Sequence, residues 1–62
     1  LDRNGSMILT LNIVRNESDV QVSCQLDGES IPEFYGFSID YSDEQIRNFI
    51  AADLTAKGRE IS

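Results

Sequence analysis

Three stretches of this chain alternate apolar and polar residues with period two, and a fourth repeats apolar residues at helical spacing. Over residues 7–14, Met7, Leu9, Leu11 and Ile13 fall on one face and Ile8, Thr10, Asn12 and Val14 on the other. Over residues 20–26, Val20, Val22, Cys24 and Leu26 make an apolar face opposed by Gln21, Ser23 and Gln25. The polar segment 15–19 between them is rich in turn formers, so the two runs predict a β-hairpin. Asp27-Gly28-Glu29-Ser30 predicts a second turn, and Pro32 lacks the amide proton that a central strand requires. Alternation resumes over residues 34–40, with Tyr35, Phe37 and Ile39 on one side and Phe34, Gly36 and Ser38 on the other. This predicts a third strand, antiparallel to the second because the link is too short for a crossover.

The start of the helix is specified several times over. Ser42-Asp43-Glu44-Gln45 fits a capping box, in which the serine hydroxyl and the glutamine side chain each satisfy the other's backbone amide. Tyr41 before the cap and Ile46 after it are spaced for a hydrophobic staple, and Asp43 and Glu44 suit the positive end of the helix dipole. Ile46, Phe49, Ile50 and Leu54 form one apolar stripe. Asp43–Arg47 and Asp53–Lys57 are spaced as ion pairs one turn apart. Gly58 is placed to end the helix, with Lys57 and Arg59 near its negative end. The expected fold is therefore α+β: a three-stranded antiparallel sheet in β-β-β-α order, with the C-terminal helix packed on one face. The stripe should bury against Leu9, Leu11, Ile13, Val20, Val22, Cys24, Leu26, Phe37 and Ile39.

Residues 1–6 show neither period, and Gly5-Ser6 directly before Met7 reads as a cloning remnant. An expression-tag remnant or disordered arm is expected there, followed by a single small α+β domain over residues 7–62. A chain of 62 residues buries only about 60% of the surface its unfolded form exposes, so the core must be thin. No apolar run approaches the ~20 residues of a membrane helix and no signal pattern occurs, which makes a cytoplasmic location the expected one.

The composition removes most chemistry. With no histidine the usual general base near neutral pH is missing, and with it any Ser-His or Cys-His pair. Cys24, the single cysteine, lies on an apolar strand face and is expected to be a core thiol. The glycines at 5, 28, 36 and 58 match neither phosphate-cradling loop. The carboxylates match no EF-hand spacing, so neither a metal site nor a cofactor is expected. Catalytic residues are expected to be absent.

Charge and surface suggest partners instead. Five Lys and Arg against eleven Asp and Glu leave a net charge of −6, which argues against direct nucleic-acid binding. Between Arg15 and Arg47 every charged residue is acidic. Glu29, Glu33, Asp40 and Asp43 are the candidate acidic docking rim for a basic protein partner. An inhibitor or regulator that imitates nucleic-acid charge, as small acidic phage proteins do, would have this size and charge, although no motif carries the analogy. The sheet face away from the helix would carry Ile8, Thr10, Asn12, Val14, Gln21, Ser23, Gln25, Phe34 and Ser38, none of them charged. Thr10, Asn12, Gln21, Ser23, Gln25 and Phe34 are the candidate self-association face. A non-enzymatic interaction or assembly module forming a homodimer is the expected function, since domains of this size gain burial by oligomerising.

Overall fold

The computed structural model describes residues 6–61, so the expected tag or arm lies outside the described residues apart from Ser6. Strand β1 (Leu9–Arg15), strand β2 (Asp19–Leu26), strand β3 (Glu29–Ser38) and helix α1 (Asp43–Ala56) follow in order. The strands form one antiparallel sheet with β2 in the centre. Helix and sheet share one core: Leu9, Val20, Val22, Cys24 and Leu26 from the strands are buried with Ile46, Ile50 and Leu54 from the helix. The βββα layout read from periodicity is the observed one. Among the described residues no helix is long and apolar enough to cross a membrane.

The cap forms as expected. The Ser42 hydroxyl accepts from the Gln45 amide at 3.1 Å, and the Gln45 side-chain oxygen accepts from the Ser42 amide at 2.9 Å. At the other end Gly58 takes φ +96, a left-handed conformation open to glycine, and the helix closes in a Schellman motif. The Arg59 amide donates to the Leu54 carbonyl and the Gly58 amide to the Thr55 carbonyl, each at 3.0 Å.

Several expectations are corrected. The third strand begins at Glu29, not Phe34, because Asp27 and Gly28 alone make the turn, with φ of 53 and 84. Two successive left-handed residues match the right-handed twist of a hairpin. Pro32 is accommodated because β3 is an edge strand and its pairing with β2 slips between Ser23 and Gln25. The strand also ends at Ser38 rather than Asp40. A turn closed by the Tyr41 amide on the Ser38 carbonyl leads the chain away, and Ile39, expected in the core, is exposed. The stripe is narrower than expected, since Phe49 is about half exposed at its flank. Met7 lies outside β1, in a parallel bridge to Ile61.

The expected Asp43–Arg47 pair is replaced by longer-range partners. Arg15 Nη2 reaches Asp43 Oδ1 at 2.6 Å and the Tyr41 carbonyl at 2.9 Å, while Arg47 Nη1 donates to the Leu9 carbonyl. These bonds tie the helix start to the end of β1, and its second turn to the beginning of β1. Asp53–Lys57 does form, at 3.0 Å.

Candidate interaction surface

Register fixes what the uncovered sheet face presents. Residues directly opposite in an antiparallel pair share a face. Three rows therefore cross the sheet: Val14–Gln21–Gly36, Asn12–Ser23–Phe34 and Thr10–Gln25–Ser30. The six residues expected on this face are brought together on it. Thr10, Asn12, Ser23, Gln25 and Ser30 line a shallow depression of about 330 Å³ beside the slip in β3. Phe34 stands at the end of the middle row, 65% exposed. One correction concerns charge: β2 begins at Asp19, which by alternation shares this face, opposite Ser38. Asp19 is half-buried and accepts from the Asn16 side chain at 3.0 Å, so the charge sits at the margin and the interior of the face carries none.

The four rim carboxylates are not brought together. Glu29 begins β3 and Asp40 lies just past its end, so the length of the strand, at about 3.3 Å of rise per residue, separates them. Glu33 is held by Arg59 at 2.8 Å and Asp43 by Arg15. Burial opposes ionisation of Glu33, but the Arg59 hydrogen bond, a backbone bond and the charges of Arg59 and Lys57 outweigh it, and its carboxyl is held below the usual value. Among the described residues no three potential metal ligands converge.

Sequence reasoning did not foresee the flank where helix and β3 meet. Tyr35 donates its hydroxyl to Asp53 at 2.6 Å, and Lys57 lies over the Tyr35 ring as well as beside Asp53. Burial and then the Asp53 carboxylate push the Tyr35 phenol well above its ordinary value, while the Tyr35 hydroxyl and Lys57 hold Asp53 low. Next to this pair, Phe37 packs against Phe49 at 5.5 Å and Tyr41 at 5.4 Å between ring centres. The alternation of Tyr35 with Phe37 and the helical position of Phe49 were visible signals. What was missing was the crossing that sets them side by side. Cys24 is buried, and burial followed by the nearby Glu33 charge raises its thiol above the ordinary value, away from nucleophilic behaviour.

No family model, curated protein or solved structure matches the chain.

Proposed function

We propose that this chain is a small, non-enzymatic interaction and assembly module that associates with copies of itself through its sheet. The observation that carries this is Phe34: a large aromatic side chain, 65% exposed, at the meeting point of an uncharged face and the free edge of β3. A single helix covers one side of the sheet, and the other is left to water or a partner. Single exposed apolar side chains are common, so it is the position of this ring beside an uncharged face and edge, not its exposure alone, that points to a partner. The alternative, an acidic regulator docking on a basic protein, draws on the net charge of −6 and on exposed Glu29 and Asp40. It has less geometric support, because Arg59 and Arg15 already neutralise the other two carboxylates of the rim. Sedimentation equilibrium at micromolar concentration tests the proposal. The expected mass is about 14 kDa, twice the 7.0 kDa of one chain, and a species remaining at one chain's mass at every concentration refutes it.

A further inference from the structure

The sheet has two edges, and they differ. The Asp27 amide donates to the Ile8 carbonyl and the Asn16 amide to the Asp19 carbonyl, so the even-numbered residues of β1 bond toward β2. The odd-numbered ones face outward, where the Glu60 carbonyl takes the Met7 amide and Arg47 takes the Leu9 carbonyl. That edge is covered at its start and ends in Arg15, a charged residue of the kind that blunts edge pairing. The same alternation carried across β2 turns Tyr35 and Phe37 inward and directs Phe34, Gly36 and Ser38 outward from β3, the Ser38 carbonyl already accepting from the Tyr41 amide in the turn that follows. Among the described residues no backbone bond from outside the sheet reaches Phe34 or Gly36, and no charge occurs between Glu33 and Asp40.

We infer that the self-association surface is the free edge of β3, and that a second copy adds to it antiparallel about a two-fold axis at Gly36. This rests on the self-association proposed above and specifies its geometry. The usable edge is bounded by the slipped pairing around Pro32 on one side and the turn after Ser38 on the other. Only the five residues from Phe34 to Ser38 are regular, and a two-fold axis that uses all of them must pass through the middle one. Gly36 then pairs with Gly36 of the other copy, Phe34 with Ser38, and Tyr35 with Phe37.

The occupant is a second copy because this strip complements itself in that register. Each Phe34 faces a small Ser38 and lies diagonally beside the other copy's Gly36, where a Cβ would meet nothing within 4 Å, leaving room for the ring. On the helix side the pairing sets aromatic against aromatic. Of the large apolar side chains exposed among the described residues, Phe34, Ile39, Tyr41 and Phe49 lie on β3 or flank it, whereas Ile8 and Val14 stand apart on β1 and just before it.

Amide hydrogen exchange measured by NMR at low and high protein concentration, alongside sedimentation, tests this inference. The Phe34, Gly36 and Ser38 amides are expected to exchange about tenfold or more slowly at concentrations where the dimer forms. Phe34→Lys with Ser38→Lys should abolish the dimer, because each new lysine faces another across the axis. Mixing that variant with Phe34→Glu/Ser38→Glu should restore a mixed dimer. Thr10→Lys with Ser23→Lys, on the open face, should leave the dimer intact. A dimer whose three edge amides stay fast, or one broken by the Thr10 and Ser23 changes alone, overturns edge pairing while self-association stands. A monomer at every concentration refutes both.

Discussion

Replacing Ser42 by Ala removes one hydrogen bond from the helix start and leaves the others in place. The lost bond is the one the Gln45 amide donates to the Ser42 hydroxyl; the return bond from the Ser42 amide to the Gln45 side chain survives. Arg15 still holds Asp43 and the Tyr41 carbonyl, so the helix keeps its anchor to β1 and the variant folds. Ser42 is exposed, and water can reach the freed amide, which places the cost at ~1 kcal/mol, short of the ~2 kcal/mol upper end for such caps. An unfolding entropy of about 2.1 cal/mol/K per residue gives roughly 130 cal/mol/K for 62 residues, so ~1 kcal/mol lowers Tm by ~8 °C. Thermal unfolding followed by far-UV circular dichroism on dilute protein reads this directly. Ser42→Gly should lose only a few tenths of a kcal/mol and Ser42→Asp should keep most of the stability, because each still suits the extended cap conformation. A Tm for Ser42→Ala unchanged from that of the parent, or a glycine variant as unstable as the alanine one, would refute this account of the cap.

Acid should weaken the fold through Asp53 and Glu33. Both carboxyls are held below their ordinary values of 3.8 and 4.5, so their contribution is complete above those values and is lost as pH falls below them. Urea midpoints should drop on acidification through that window, and Tyr35→Phe, which removes the first cause of the Asp53 shift, should flatten the drop; parallel curves would break the link between the two residues. At the other end of the helix, Gly58→Ala should cost ~1–2 kcal/mol purely through its left-handed backbone, since a Cβ there meets nothing within 4 Å. Gly58→Asn should recover part of this, and equal urea midpoints for Gly58→Ala and the parent would discount the Schellman closure.

The features legible in the sequence were those decided locally. The alternation in β1 and β2 assigned Leu9, Val20, Val22, Cys24 and Leu26 to the buried side, and the capping box around Ser42 placed the helix start. The errors arose where tertiary position overrode a local rule. Pro32 forbids a central strand, but whether β3 is central or at the edge is settled only by which strands pair. Asp27-Gly28 was itself a signal for a two-residue turn, from which strand pairing could resume at Glu29 without delay. Asp43 and Arg47 have the spacing of a helical pair, yet Arg15 competes for the carboxylate from 28 residues away and the Leu9 carbonyl takes Arg47.

The same competition changes the meaning of the charge layout. In the sequence, the acidic run between Arg15 and Arg47 is uninterrupted, which suggests one negative surface. In space, Arg15 and Arg59 fold back onto it from outside and neutralise Asp43 and Glu33, dividing the rim. The strip that stands out after folding is instead the one without charge, from Phe34 to Ile39, on an edge that natural sheets normally protect. Its length explains how exposure can be tolerated. Five regular residues end in a bulge on one side and a turn on the other, too short a template for indefinite growth. The opposite edge is covered at its start by the Glu60 carbonyl and Arg47 and ends in the charged Arg15. The proposed pairing through β3 closes when two copies meet about a two-fold axis, because neither then presents a free β3 edge to a third. A net charge of −6 on every copy opposes other, less specific encounters. In the proposed dimer, charge across the molecule and its absence along β3 would work together, favouring one pairing over open-ended aggregation.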